Sequence, residues 1–220
     1  MKLIGYYGGD DTHAMSAWTS TDRDPDKMSR MPQLLYGLAQ NGHETPFEKS
    51  SLHFLITVDQ ATHIHLLKHR IGVSVNAESA RYKELKEDKT YLPEDWKTIE
   101  LSEGHINPFF YDDEGEINDW YGVLKAFTEM GDHLYHQALK DLTPILGRQR
   151  AKESARFFKT MNSEITMDVM FNFRSFVHFY RLRADDHAQL EVRELARGML
   201  NLIKEIPGQP FRHSINAFKL

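Results

Sequence analysis

Leu52, Phe54, Ile56 and Val58 alternate with His53, Leu55 and Thr57, and much later Ile165, Met167, Val169 and Phe171 alternate in the same way. A period of two sends each apolar set to one face of a strand. Each run then passes into a helical pattern. Asp59 can cap a helix running to about Arg70, with Ala61, Ile64 and Leu67 on one side. A second helix begins near Asn172, and Phe173, Phe176 and Phe179 fit its core better than a stacking platform. Two half-buried strands that each hand over to a helix, without regular strand–helix–strand spacing, favour α+β over a doubly wound sheet. The expected class is α+β: a mixed sheet packed with several long helices, one domain over residues 1–220.

Further elements fill this frame. A strand is expected at Lys2–Tyr7 before Gly8 and Gly9 interrupt it. Asp24 and Pro25 read as a helix cap and first turn, followed by Met28, Met31, Leu35 and Leu38 at helical spacing and a stop at Asn41 and Gly42. A long helix from about Asn118 carries Trp120, Val123, Phe127, Met130 and Leu134 on its apolar stripe, and a shorter one follows Gly147. Asp186 and Gln189 have capping-box spacing ahead of Val192, Leu195, Met199, Leu202 and Ile206. Residues 85–119 are acidic and rich in turn formers, and are expected as a surface excursion.

Composition narrows the chemistry. The formal charge of the 220 residues is −5, so no global basic field draws this chain to nucleic acid or a membrane, and an anion must be met by a local cluster of cations. There is no Cys, which excludes disulfides, zinc–thiolate sites and thiol nucleophiles. No apolar run is long enough to span a bilayer, and the opening MKLIGYYGGDD lacks a signal peptide's apolar segment. A cytoplasmic protein is expected.

Three stretches concentrate chemistry. In residues 68–84, KHRIGVSVNAESARYKE, Lys68, His69 and Arg70 precede Asn76, Glu78, Ser79, Arg81 and Tyr82, with His65 one helical turn before His69. The cations suit a helix C-terminus, and the whole set equally suits a phosphate site with Arg81 as its two-pronged contact. Residues 41–48, NGHETPFE, read as a turn begun by Thr45 and Pro46, whose His43, Glu44 and Glu48 the turn alone does not require. In residues 171–191, Arg174, His178 and Arg181 share a helix face, with Arg183 just beyond. Asp185, Asp186, His187 and Glu191 follow, but lack the spacing of a metal ligand set, and no metal is expected.

Together these stretches resemble the flavin-dependent thymidylate synthases. Ser74-Val75-Asn76-Ala77-Glu78-Ser79-Ala80-Arg81-Tyr82 fits the second half of that family's signature, an Arg-His-Arg followed after seven residues by Ser. His43-Glu44-Thr45-Pro46-Phe47-Glu48 looks like its upstream motif, and Leu182-Arg183-Ala184-Asp185 with His187-Ala188-Gln189 and Glu191 looks like its C-terminal one. The resemblance covers about residues 41–205. It implies methylation of dUMP to dTMP, with carbon from methylene-tetrahydrofolate and reducing power from NADPH through FAD, in a homotetramer whose active sites are shared. A chain without Cys is consistent with the flavin route, since other thymidylate synthases attack the pyrimidine with a thiolate. By resemblance, Lys68, His69, Arg70, Thr45, Glu78, Asn172, Arg174 and His178 are cofactor-side positions, and His43 borders the flavin. His65, Ser79, Arg81 and Arg156 are substrate positions, and Arg183 is the arginine that polarises the uracil.

The chain departs from the signature in two places. Lys68 stands for its first Arg, a point charge instead of a planar fork. Eight residues, not seven, separate Arg70 from Ser79, so a bulge at Gly72 is expected to absorb the extra residue. Two other classes compete. Five of the twelve histidines lie from His43 to His69, which suits a metal-dependent nucleotide phosphohydrolase. A non-catalytic nucleotide-binding module would use the same phosphate contacts without turnover.

Overall fold

The computed structural model describes residues 1–19, 25–85, 87–102, 111–112 and 115–220, so the expected cap at Asp24 lies outside the described residues. Contacts gather into two compact units: Met1–Thr57, Ile64–Asn76 and Thr166–Leu220 form one, and Val58–His63 with Ala77–Ile165 the other.

The first unit is organised by a four-stranded sheet. Its strands are β1 (Lys2–Tyr7), β2 (Ser51–Asp59), β3 (Val73–Ala77) and β6 (Glu164–Asn172), in the order β1-β2-β6-β3. Alternation does what the sequence requires: Leu52, Phe54, Ile56, Met167, Val169 and Phe171 are all buried. β1 runs antiparallel to β2, with a register shift between Leu3 and Gly5. Thr57, late in β2, hydrogen-bonds Thr166, early in β6, and Gly72, just ahead of β3, accepts the amide of Asn172 at the end of β6. Both strands therefore oppose β6. The α+β class is as expected, and the sheet that was expected to be mixed is antiparallel.

Helices α1 (Asp10–Trp18), α2 (Met31–Gln40), α6 (Phe173–Arg183), α7 (Leu190–Lys204) and α8 (Arg212–Phe218) complete the unit. α2 packs on α8, and α6 on α7. Their core is aromatic: Phe47, Phe54, Phe171, Phe173, Phe176, Phe179 and Phe211 are fully buried, and Phe173 stacks on Phe211 with the ring planes 7° apart. A polar chain runs beside these rings. His13 Nε2 meets Ser50 Oγ at 2.7 Å and its Nδ1 meets Ser214 Oγ at 2.8 Å, while Ser214 donates to Asp10 at 2.6 Å. This ties α1 to α8. Burial pushes the His13 pKa down to about 4 and works to raise that of Asp10.

Several local expectations need correction. The helix after β2, α3 (Gln60–Leu67), stops before Arg70; Asp59 does cap it, accepting from Thr62 at 2.9 Å, but Thr62 and Leu66 are its buried residues and Ile64 and Leu67 are exposed. Asp186 does not cap α7. Gln189 takes the cap position, and Asp186 instead receives Arg193 and Arg197. On α7, Ile203 is buried beside Met199, whereas Leu202 is half-buried.

The second unit rests on α4 (Trp120–Leu146) packed against α5 (Arg148–Ala155). Asp119 caps α4 through Gly122 at 2.6 Å. Tyr135, Leu139, Ala151 and Ala155 make its core, and the Tyr135 hydroxyl accepts the amide of Leu85 at 3.0 Å. The expected apolar stripe of α4 does not enter this core: Phe127, Met130 and Leu134 are exposed. Thr128, Gly131 and Asp132 are buried instead. A buried Lys159 ammonium joins Asp88 and Asp132 over the Tyr135 ring. The described part of 85–119 holds a 3-10 turn at Glu94–Thr98 and a small hairpin of β4 (Tyr111–Asp112) and β5 (Gly115–Glu116).

Candidate active site

Three residues fix the geometry of the site in the first unit. Gly72 adopts φ 65°, the left-handed region that other residues avoid. A Cβ there would lie 2.2 Å from Asn172 Nδ2 and 2.4 Å from Ser175 Oγ. Only glycine lets the turn after α3 approach the start of α6 this closely. The approach is fastened twice, by Asn172 N–H donating to Gly72 O at 2.9 Å and Ser175 Oγ–H donating to Ile71 O at 2.7 Å. Asn172 also caps α6, its Oδ1 accepting from Ser175 N–H at 2.8 Å. Gly72, where a strand bulge was expected, lies instead in a turn just before β3.

That turn sets Lys68, His69 and Arg70 beside one face of α6. Residues four and three apart on a helix share a face, so Arg174, His178 and Arg181 line the same cleft while Phe173, Phe176 and Phe179 point into the core. The cleft holds about 430 Å³. Four cations, Lys68, Arg70, Arg174 and Arg181, border it with only two carboxylates, Glu44 and Glu48. Both carboxylates bind Arg174, and their hydrogen bonds raise its pKa further. Among the described residues, Lys68 and Arg70 meet no carboxylate. A protein of net charge −5 has therefore gathered uncompensated positive charge in one recess.

Arg183 closes α6. Its Nε donates to His69 Nε2 at 3.0 Å, and its Nη1 lies 3.5 Å from His65 Nδ1. His69 is buried, and that burial, with the charge of Arg183 close by, lowers its pKa to about 4. At neutral pH it is an uncharged acceptor. Asp185, the carboxylate nearest in sequence, turns away and receives the amide of His187 at 2.9 Å.

The family model described as thymidylate synthase complementing protein matches residues 2–207. The chain belongs to this family. Curated relatives agree with it. The flavin-dependent thymidylate synthase of Thermosipho africanus is 29% identical over 215 residues, covering 93% of this chain and 86% of that protein. The one from Ehrlichia ruminantium strain Gardel is 29% identical over 209 residues, covering 93% of this chain but 66% of that longer protein. Among solved structures, the UMP/dUMP methylase PolB of Streptomyces cacaoi bound with 5-Br dUMP superposes with a TM-score of 0.75 at 22% identity, covering 99% of this chain and 93% of that one. That likeness is one of fold.

The residues that the resemblance names fall into two groups in this chain. In the first unit, His65, Lys68, His69, Arg70, Asn172, Arg174, His178 and Arg183 gather along α3, the Gly72 turn and α6. His43 and Thr45 are exposed on the turn whose Glu44 and Glu48 reach Arg174. The second unit holds Glu78, Ser79, Arg81 and Arg156, with Arg81 bonded to Glu153 on α5 and Arg156 directly after that helix. Arg81 Nε donates to Glu153 at 2.9 Å, a bond that holds the Glu153 pKa below the ordinary carboxylate value. Glu78 accepts from Lys83 at 2.7 Å, and Ser79 Oγ accepts the Arg81 amide at 3.4 Å. Arg156 opens a 3-10 turn at Arg156–Phe158. Among the described residues, no group of three or more His, Asp or Glu is placed to hold a metal ion.

Ser175 lines the cleft although no motif names it, and Arg181 joins it there with Glu44 and Glu48 of the upstream motif. Arg181 was accessible from its spacing to Arg174 and His178. The bond from Glu44 and Glu48 to Arg174 was not, because 126 or more positions separate the partners.

Proposed function

We propose that this chain is a flavin-dependent thymidylate synthase that converts dUMP to dTMP, with methylene-tetrahydrofolate as carbon donor and NADPH as reductant. The cation-lined cleft, which brings together Lys68, His69, Arg70, Arg174 and His178, is the observation that supports it most. Its donor set suits FAD. Lys68 and Arg70 offer uncompensated charge for a pyrophosphate, His69 and His178 give flat ring surface, and the Gly72 turn brings these groups against α6. When bound, the flavin supplies the redox chemistry that links NADPH to the transferred carbon. The protein's own task is binding, orientation and charge.

In this proposal Arg81 and Arg156 bind the phosphate of dUMP, and Ser79 orients the nucleotide. Arg81 exchanges its bond to Glu153 for that phosphate. Arg183 stands beside the uracil, where a fixed guanidinium stabilises negative charge developing on the ring and so favours attack by its carbon on the methylene group. The ring carbon loses a proton as it gains the one-carbon unit, the bonds from that carbon to the folate nitrogens break to release tetrahydrofolate, and one hydride equivalent from NADPH completes the methyl group. His65 supports Arg183 from behind. His43, Thr45 and Glu78 contribute to the walls around cofactor or folate, and Asn172, Arg174 and His178 hold the flavin side of the cleft.

The sites are shared within a homotetramer, the nucleotide-side residues of one subunit serving the flavin-side residues of another. The exposed Met130 and Leu134 on α4 support this, since apolar side chains left outside the core of their unit suit contact with another copy. The match over residues 2–207 runs through both units and supports reading 1–220 as one functional domain. No helix among the described residues is long and apolar enough to cross a membrane. The visible absorption spectrum of the purified protein, with and without added FAD, is the first test. A bound flavin spectrum is expected, and a protein that stays colourless at saturating FAD is not this enzyme.

A further inference from the structure

Arg183 has no carboxylate partner among the described residues. Its neighbours are two imidazoles, His69 at 3.0 Å and His65 at 3.5 Å. A guanidinium has only donors, so both facing nitrogens must present lone pairs. His69 then carries its proton on Nδ1, and His65 carries its own on Nε2. The second assignment has a visible cause. His65 Nε2 lies 3.1 Å from Gln189 Oε1, and Gln189 Nε2 donates to Glu191 Oε2 at 2.7 Å. A carboxylate can only accept, so Glu191 decides which end of the Gln189 amide is nitrogen. The amide oxygen is thereby turned toward His65, where it can receive only an N–H. Nδ1 is left bare toward Arg183.

We propose that Glu191, Gln189 and His65 form a positioning chain that locks the His65 tautomer and, with His69, holds Arg183 in place without neutralising it. A carboxylate in the same position would orient the guanidinium equally well but would consume its charge. Two neutral rings leave that charge for the ligand. None of the three residues needs to touch substrate; each acts through Arg183. The inference deepens the proposed role of Arg183 beside the uracil and rests on it for its catalytic consequence, though not for its tautomers. An imidazole needs an outside partner to choose its tautomer.

Ring 15N NMR of the full-length, histidine-labelled protein tests this directly, with His65→Gln and His69→Gln used to assign the signals. His65 is expected with its proton on Nε2 and His69 with its proton on Nδ1, two opposite tautomers on either side of one arginine. Glu191→Leu should convert the His65 signal to a mixture, and lower kcat on the order of tenfold while flavin content stays unchanged. Glu191→Gln, whose amide oxygen can still accept, should restore the single tautomer and most of the rate. In a His65→Gln background, Glu191→Leu should cost far less. Gln189→Leu gives the same reading if Glu191→Leu does not fold. A His65 proton on Nδ1, or a His65 signal indifferent to both substitutions, overturns the chain even if the protein makes dTMP. The expected tautomers in a protein that makes no dTMP would instead leave the chain standing and remove the thymidylate synthase reading.

Discussion

Arg183 and Arg81 are the two arginines on which turnover and nucleotide binding should depend, and they are held in opposite ways. Arg183 is held by uncharged rings and Arg81 by the carboxylate of Glu153. Arg183→Ala should reduce kcat on the order of a hundredfold or more, with flavin binding intact, as expected for loss of a group aimed at developing charge; unchanged turnover would remove it from the mechanism. Glu153→Gln should act in the other direction at the binding step. The pair is partly exposed, so releasing Arg81 should tighten dUMP binding by no more than about fivefold. Weaker binding in an equilibrium titration would show that Glu153 orients Arg81 for the phosphate and does not compete with it.

Among the elements, the Gly72 turn decides whether Lys68, His69 and Arg70 meet α6 at all. Gly72→Ala forces a side chain into the space of Asn172 Nδ2 and Ser175 Oγ at a φ that alanine resists. A loss of more than about 1 kcal/mol of stability is expected, together with weakened FAD binding; denaturant unfolding and flavin titration measure the two, and a variant as stable as the parent would contradict the role given to this turn. The strands β1, β2 and β6, the helix α6 and the glycine were legible, because periodicity and positive-φ demands are local. The end of α3 and the cap of α7 were not. Lys68-His69-Arg70 continues a helical pattern in sequence, but the pull of Asn172 and Ser175 on the Gly72 turn stops α3 at Leu67. Asp186 has the spacing of a cap, but two arginines from the next turns of α7 claim it.

For the whole molecule, the same distinction separates what the chain disclosed from what it withheld. Motifs named most of the residues around the cleft, yet not the bonds between them, since His65 and Arg183 stand 118 positions apart. The apolar stripe of α4 was visible, but a stripe shows only that something covers it, not that its own chain does. Buried neutral histidines also give the fold a pH dependence. His13 and His69 have native pKa values near 4 against an ordinary value of 6.5. The unfolded chain therefore binds more protons between these limits, and stability, complete above pH 6.5, is lost as pH falls toward 4. For His13 alone the loss is about 3 kcal/mol, at about 1.4 kcal/mol per pKa unit. Asp10, raised in the native state, opposes this only at the acid end. Denaturant midpoints that stay constant from pH 7 to below 5 would refute it. The central claim is met most directly by product analysis: FAD-loaded protein incubated with dUMP, methylene-tetrahydrofolate and NADPH, with nucleotides resolved by mass. The account predicts dTMP that disappears when any one of the four is omitted; NADPH consumed with dUMP left unmethylated would contradict it.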